Sequence, residues 1–453
     1  MSIRTRREFL NGAARALAGG AAGGLLYRLG LVGARAQSAA CGDYKALVCV
    51  FFFGGNDGNN TVIPVRAGQA YADYARIRGV LALPEAQLQQ ITTPSAGAVY
   101  GLHPRLADLR ALYEQGRMAV LLNVGTLAAP LTRAQYLQSG AAVPTNLFSH
   151  SDQQAEWQTS SLTSQTATGW GGRVADRIAA CNTSRSFPTV LSLSGNTVFG
   201  EGAQTRLGTL VPGSTAGLQG FGQIPNPRYT AFQQLLQFDN GMSLVKAANT
   251  IGASGLSDSD AVNAALSAKS KITTVFPNTS LGQQLRSVAL LTEVRSTLGM
   301  SRQIFFCSLG GFDTHQNEVS VQDGLMAQVG PALAAFYRAT EELGIADRIT
   351  TFTASDFSRT NQPNGNSGAD HGWGSHHFVI GGAVKGGDVY GRYPVLDLNG
   401  QDDANNRGVY IPTIAVDQYS ATLASWFGLG AADLGAVFPN LKNFTTSDLG
   451  FFR

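Results

Sequence analysis

Acidic and imidazole side chains recur directly after short apolar runs in this chain of 453 residues. The whole sequence has only six histidines, and four of them fall between residues 313 and 377. Carboxylate and imidazole groups together bind Zn, Mn or Fe, whereas sites rich in carboxylates favour Mg or Ca. The pattern therefore predicts a site for a divalent metal ion whose identity stays open. The candidate ligands are Asp57, Asp313, His315, Asp356, His371, His376 and His377.

Each of these motifs has a simpler interpretation when it is taken alone. The Gly-Asn-Asp-Gly run around Asp57 is most often a plain turn, and Asp313 could cap a helix beside a surface histidine, His315. His376 and His377 would point to opposite faces of a strand, so only one of them would face the other ligands. The metal site is favoured by the shared position of the motifs, because functional groups gather at the carboxyl ends of parallel strands.

The elements that must position these side chains alternate between apolar runs and amphipathic stretches, which is typical of a predominantly parallel sheet flanked by helices. The predicted strands are Ala46–Phe53, Met118–Val124, Phe187–Leu193, Arg302–Leu309, Arg348–Ala354 and His376–Ile380. The predicted helices are Pro104–Gln115, Asp152–Thr159, Gly172–Ala180, Leu281–Leu298, Val321–Leu343 and Asp417–Phe427. Residues 200–280 predict an inserted cap with helical pieces at Tyr229–Gln237 and Asp258–Ile272. Residues 42–453 are otherwise expected to form a single α/β domain.

Composition excludes several classes of protein. With 44% hydrophobic and 14% charged residues, the chain is neither disordered nor a coiled coil, and its length permits a large core. Residues 1–36 carry six Arg and one Glu, a charge of +5, so the formal +3 of the whole chain leaves −2 for the remainder. Without long Lys/Arg runs, the sequence gives no indication of nucleic-acid binding.

The N-terminus predicts an export signal. Arg6-Arg7 is followed by an apolar pair, by a weakly apolar stretch, and by Ala34-Arg35-Ala36, a small-x-small cleavage pattern. This is a twin-arginine signal, cleaved after Ala36, which implies a twin-arginine translocase as partner and a periplasmic or secreted protein without a stable membrane anchor. The alternative, an uncleaved anchor, is disfavoured because Arg15 and Arg28 interrupt the apolar stretch.

Replacing both Arg6 and Arg7 by Lys should trap the precursor in the cytoplasm, because the twin arginine is the feature that the export pathway recognises. The measurement is the ratio of precursor to mature protein in fractionated cells. Undiminished export of the double variant would show that the signal is of another type.

No two of the four cysteines are spaced as Cys-x-x-Cys. Cys49 and Cys307 lie in apolar runs and are predicted to be buried. In an oxidising compartment Cys41 and Cys181 are a candidate disulfide pair.

Beyond these local patterns, the sequence resembles the DUF1501 family of exported bacterial proteins. The matching stretches, besides the twin-arginine start, are Phe53–Thr61, Ser149–Gln154, Gly169–Arg173, Gly311–His315, Asp356–Thr360, Asp370–Gly372 and Gly381–Gly387. That family looks like a divergent branch of the alkaline phosphatase and sulfatase superfamily, whose members hold one or two metals at strand ends. The resemblance therefore implies an alkaline phosphatase-like fold and a metal site.

The resemblance also implies how many ions the site holds. Asp313 and His315 resemble the superfamily's Asp-x-x-x-His pair with shorter spacing, and Asp356 matches the carboxylate of its Asp-His pair. Phe357 stands where the superfamily has the histidine of that pair. We therefore expect one tightly bound ion, and a second that is weak or absent unless His371 replaces the missing ligand.

The activity implied by the resemblance is hydrolysis of phosphate or sulfate esters. Ser149 or Ser151 would be the nucleophile and Arg359 an anion clamp, although helix capping and a surface salt bridge are the simpler roles for these residues. His150 is predicted to be structural. No cysteine lies in a Cys-x-Pro-x-Arg motif, which excludes a formylglycine sulfatase. The alternative is a non-catalytic exported protein that binds one structural ion or a polymer such as a cell-wall glycan.

Overall fold

The computed structural model describes residues 41–66, 70–95, 97–162, 166–184, 187–213, 226–238, 241–266 and 269–453. The predicted signal and parts of the predicted cap lie outside these ranges. Residues Tyr44–Arg453 form the second of two units of the chain, and the rest of the description concerns this second unit. Within the described ranges, no helix has both the length and the apolar character needed to cross a membrane.

The strands of the second unit are β1 (Lys45–Phe52), β2 (Val62–Arg66), β3 (Gln89–Thr93), β4 (Ala98–Leu102), β5 (Met118–Gly125), β6 (Val190–Ser192), β7 (Leu207–Thr209), β8 (Arg302–Leu309), β9 (Ile349–Ser355), β10 (Ser375–Ile380), β11 (Val389–Tyr390) and β12 (Ile414–Ala415). The core of this unit is a nine-stranded sheet in the order β11-β5-β10-β9-β1-β8-β6-β7, with β12 also paired to β5. Its pairs are parallel except those of β10, which runs antiparallel to both β5 and β9. The predicted mostly parallel sheet is confirmed.

Helices cover both faces of this sheet, and each face has its own apolar core. Along β1, Val48 and Val50 belong to one core, while Leu47 and Cys49 belong to the other. A strand buried on both faces is apolar at consecutive positions, which is why β1 can be recognised in the sequence. The helices are α1 (Gly58–Thr61), α2 (Tyr71–Arg78), α3 (Ala107–Glu114), α4 (Arg133–Tyr136), α5 (His150–Thr159), α6 (Trp170–Ile178), α7 (Pro227–Leu235), α8 (Ser243–Leu266), α9 (Ser280–Glu293), α10 (Glu318–Glu342), α11 (Val416–Phe427) and α12 (Leu434–Val437).

Two features differ from the sequence-based expectation. Strands β2, β4 and β3 form a separate antiparallel sheet that was not predicted. In the cap, α7 lies where a helical piece was expected, since Asn226 caps it and Pro227 occupies its first turn. The second predicted piece, Asp258–Ile272, is displaced, because α8 begins at Ser243 and is described only as far as Leu266.

The cysteines divide as predicted. Cys41 and Cys181 both take part in disulfide bonding. Cys49 and Cys307 are free and buried, and they belong to the cores on opposite faces of the sheet.

Candidate metal site

The site begins at the carboxyl ends of three neighbouring strands. β1 pairs in parallel with β8 on one side and with β9 on the other, so the residues that follow these strands meet at one edge of the sheet. Asp356 follows β9 directly, and its two carboxylate oxygens accept from the Gly54 amide at 3.2 and 3.3 Å. Asp313 follows β8. The strand pairing thus places two carboxylates beside one another.

Helix α5 brings His150 to these carboxylates. Its Nδ1 lies 2.7 Å from Oδ2 of Asp356, and its Nε2 lies 3.3 Å from Oδ1 of Asp313. Gln154, one helical turn later, donates to the same Asp356 oxygen at 2.8 Å. Spacing of four residues puts both side chains on one face of the helix, so Asp356 fixes the imidazole and the helix together.

His371 and His315 complete the group from the loops. Nδ1 of His371 donates to the Phe148 carbonyl at 2.6 Å. Nδ1 of His315 lies 3.2 Å from Oδ1 of Asp370, a carboxylate that Arg407 holds from the other side at 2.5 Å. In each ring, Nδ1 is therefore held by an oxygen atom, which is usual for histidines that bind a metal ion through Nε2.

The three Nε2 atoms converge on one carboxylate oxygen. Oδ1 of Asp313 lies 3.3 Å from Nε2 of His150, 3.2 Å from that of His315 and 3.8 Å from that of His371. The ligand atoms of His150, Asp313 and His371 all lie within 4.8 Å of one another. Imidazole nitrogen and carboxylate oxygen are the kinds of ligand atom that zinc-type metal ions bind.

The protonation of the rings indicates that a cation belongs between them. A carboxylate or carbonyl oxygen only accepts, so each Nδ1 carries a proton, and a neutral ring then has a lone pair on Nε2. Nε2 of His315 and Nε2 of His371 lie 2.9 Å apart. Two lone pairs at that distance repel, so a proton or a metal ion must lie between them. Nε2 of His150 is buried and makes no hydrogen bond within the described residues.

The net charge of the group is negative. Within the described residues, the carboxylates of Asp313, Asp356 and Asp370 have two guanidinium partners, Arg359 on Asp313 and Arg407 on Asp370. With neutral histidines the sum is −1, which attracts a divalent cation. The side chain of Asp313 is 51% exposed, so an ion and a substrate can reach it from solvent.

Ionisation within the group follows its contacts. Burial raises the pKa of Asp313, but the hydrogen bond and charge of Arg359 outweigh burial and hold the pKa below its ordinary value. The hydrogen bond to Asp356 raises the pKa of His150, whereas burial lowers that of His371. Asp313 is thus ionised and His371 neutral at neutral pH, which are the forms that bind a metal ion.

Phe357 supports two of the imidazoles. Its ring centroid lies 4.7 Å from that of His150 and 4.8 Å from that of His371. On its other side Gly55 has φ +80°, and a Cβ there would lie 2.6 Å from the Phe357 ring. Glycine at this position therefore allows both the turn and the close approach of the ring.

Arg359 is completely buried rather than part of a surface salt bridge. Its Nε donates to the Gly55 carbonyl at 2.9 Å, and Nη2 donates to the Phe312 carbonyl at 3.0 Å and to Asp313 at 2.6 Å. These bonds join the loops after β1, β8 and β9. The predicted role of Arg359 as an anion clamp stays a prediction.

The predicted nucleophiles lie at the start of α5. Ser149 occupies the N-cap position, but its hydroxyl does not cap the helix and instead donates to Oδ2 of Asp152 at 2.6 Å. Ser151 is exposed, with its Oγ 3.1 Å from that of Ser149. Both stay candidates for the nucleophile.

Three of the predicted ligands are engaged away from the Asp313 group. Asp57 is buried, caps α1 through the Asn59 amide at 2.9 Å and forms an ion pair with Arg78. His376 and His377 point to opposite faces of β10, as expected. His376 accepts from the Asn123 amide and stacks on Tyr393, and His377 packs against Trp157 and Tyr419. Burial lowers the pKa of each to about 3.

Sequence reasoning missed the functional placement of His150, Gln154 and Asp370. His150 and Gln154 both lie in the Ser149–Gln154 stretch. The signal that could have identified them is two side chains with hydrogen-bond donors, four residues apart at the start of a helix. Asp370 precedes His371 directly, yet it holds His315, and only the fold shows that pairing.

Two solved structures superpose on the chain at low identity. Ps i-CgsB, solved in complex with k-i-k-neocarrahexaose, is 10% identical, with a TM-score of 0.36 over 88% of this chain and 77% of that chain. The PsFucS1 sulfatase from Pseudoalteromonas sp. is 11% identical, with a TM-score of 0.34 over 89% of this chain and 70% of that one. No curated protein matches the chain in sequence.

A family model gives a more extensive match. The model described as "Protein of unknown function (DUF1501)" matches residues 44–415. This range contains every side chain of the group around Asp313. The chain belongs to the DUF1501 family.

Proposed function

We propose that the protein is an exported, metal-dependent hydrolase of phosphate or sulfate esters. The observation that carries the proposal is the convergence of three imidazole Nε2 atoms on the partly exposed Asp313, with every Nδ1 fixed by an oxygen. A structural role would not require an ionisable cluster that opens to solvent. Such clusters with shifted pKa values are typical of functional sites.

The ligand set favours one ion of the zinc type. His150, His315 and His371 would provide three nitrogen ligands and Asp313 one oxygen. Imidazole suits Zn²⁺, Mn²⁺ or Fe²⁺, whereas Mg²⁺ and Ca²⁺ prefer oxygen ligands. When bound, such an ion supplies a Lewis acid for an ester oxygen.

The chain's own residues would bind and orient the ester. The N-terminus of α5 carries partial positive charge, which favours an anionic phosphoryl or sulfuryl group beside His150. The Ser149 hydroxyl donates to Asp152 at 2.6 Å, so that carboxylate is placed to accept the proton when the Ser149 oxygen attacks the phosphorus or sulfur atom. The bond from that atom to the ester's alcohol oxygen would break, and the alcohol would leave with a proton. Water would then release the phosphate or sulfate and restore the Ser149 hydroxyl. Phe357 and Asp356 keep the His150 ring in position throughout.

The test combines metal analysis with two generic assays. Purified mature protein should contain about one equivalent of metal and should hydrolyse an aryl phosphate or an aryl sulfate. His371→Ala should lose both properties, since it removes one of four ligands. His377→Phe is the matched control, because that ring is buried in an aromatic contact and lies outside the ligand set.

Two results would count against the proposal. If the purified protein bound no metal under any loading condition, the proposal would lose its basis. A loaded protein that cleaves neither ester would favour the alternative, a non-catalytic binding protein that keeps a structural ion.

A further inference from the structure

A cleft of about 770 Å³ lies between the segment around α4 and the loops that follow β11. This volume is within the range of sites that bind small organic ligands. Its lining includes Thr132, Arg133, Leu137, Arg392, Asn399 and Asp402.

One wall of the cleft shares a loop with the metal site. Arg133 donates to Asn399 at 2.5 Å and to Asn406 at 2.8 Å, and so joins α4 to that loop. The next residue in the loop, Arg407, donates to Asp370, which holds His315. The loop from Asn399 to Arg407 therefore forms part of the cleft wall and also helps to position the imidazole of His315.

The other wall is linked through an aromatic contact. Tyr136 of α4 and Phe148 both pack on Trp373, at centroid distances of 5.7 and 6.4 Å. The carbonyl of Phe148 holds His371. A ligand in the cleft would thus lie beside the elements that position two of the metal-binding rings.

The cleft combines a cation with neutral polar groups. Arg392 is 50% exposed, while Asp402, to which it donates at 2.6 and 2.8 Å, is only 8% exposed. With Arg133, the lining residues have a net charge of +1. Thr132, Asn399, Gln401 and Thr413 add exposed hydroxyl and amide groups, and Leu137 is 59% exposed.

We propose that this cleft binds a polyhydroxylated chain that carries anionic groups, such as an acidic polysaccharide. The amides and hydroxyls would bind sugar hydroxyls, Arg392 would bind a sulfate, phosphate or carboxylate, and Leu137 would contact the aliphatic face of a ring. The inference rests on the proposed function, because it makes the cleft the subsite for the part of a polymeric ester that is not cleaved.

The test measures direct binding rather than activity. Titration of the protein with dextran sulfate at low salt should show binding at least tenfold tighter than that of neutral dextran. Leu137→Glu should weaken this binding about tenfold or more, because it places a negative charge in the cleft, whereas Leu137→Lys should preserve or strengthen it. Val80→Glu is the matched control, since Val80 is also an exposed apolar residue, at 72%, but lies outside the cleft.

His371→Ala should retain binding of dextran sulfate, so failure of the hydrolase proposal leaves this test intact. Equal weakening by Val80→Glu, or loss of binding in His371→Ala without loss in Leu137→Glu, would overturn the inference. Tighter binding of poly-glutamate than of dextran sulfate would also overturn it, because the cleft would then recognise a peptide chain.

Discussion

We expect Asp313→Ala to abolish tight metal binding and, with it, the proposed ester hydrolysis. The substitution removes the oxygen on which all three Nε2 atoms converge, and with neutral histidines it changes the charge of the group from −1 to zero while the buried Arg359 remains. Loss of groups that only orient the ligands typically weakens metal binding 10- to 100-fold, so loss of a ligand should weaken it by more than about 100-fold. Metal titration of the apo-protein measures the effect.

The control for this prediction is another Asp→Ala change in an Asp–Arg pair. Asp323 pairs with Arg105 at 2.8 Å, and both side chains are exposed, so its loss should cost no more than about 1 kcal/mol and leave metal binding unchanged. Asp313→Asn keeps the shape of the side chain and removes its charge, which separates ligation from packing. Full metal affinity in Asp313→Ala would mean that the histidines bind without it.

The sheet could be predicted because its central strands are buried on both faces. β1 is apolar from Ala46 to Phe52 and β8 from Ile304 to Cys307, and such runs identify strands without any knowledge of their neighbours. β9 mixes three Thr with Ile, Phe and Ala, and its β-branched and aromatic residues favour a strand. The strands β2, β3 and β4 of the antiparallel sheet give a weaker signal. Its strands have only five residues each, and β3 alternates between exposed and buried positions.

The ligand set could be predicted only in part. A strand end indicates where a carboxylate lies but not which partner it faces. Asp57 satisfies the strand-end rule, yet its partner Arg78 comes from α2, and nothing in the sequence links the two. His150 does not follow a strand but begins helix α5. That helix approaches Asp356 only in the folded chain, so the sequence does not indicate the contact.

Replacing Arg78 by Met should strongly lower the free energy of unfolding of the protein. The guanidinium is fully buried and donates to Asp57, to Glu318 at 2.8 Å and to the carbonyls of Thr360 and Asn361 at 3.0 and 3.1 Å. Removing one partner of a buried ion pair leaves an uncompensated charge, so we expect the free energy of unfolding to fall by about 3–5 kcal/mol. Urea denaturation at neutral pH measures it.

The two carboxyl groups that face Arg78 should respond differently. Burial raises the pKa of Asp57, but the charge of Arg78 and the hydrogen bonds from Glu318 and the Asn59 amide together outweigh burial and hold the pKa below the ordinary value. Burial raises the pKa of Glu318 well above its ordinary value. The protonated form of Glu318 is therefore favoured, and Glu318→Gln, which replaces a protonated carboxyl group by a neutral group of the same shape, should change stability by less than about 1 kcal/mol.

The pH dependence of stability gives the final check. A depressed pKa in the folded protein means that Asp57 contributes stability above its unfolded pKa of 3.8 and that this contribution disappears as pH falls through the folded pKa. Without Arg78 the carboxyl group can take up a proton more easily, so the difference between wild type and Arg78→Met should shrink on acidification from pH 7 towards the unfolded pKa. A difference that is small at pH 7, or that grows in acid, would mean that Asp57 is not held ionised by Arg78.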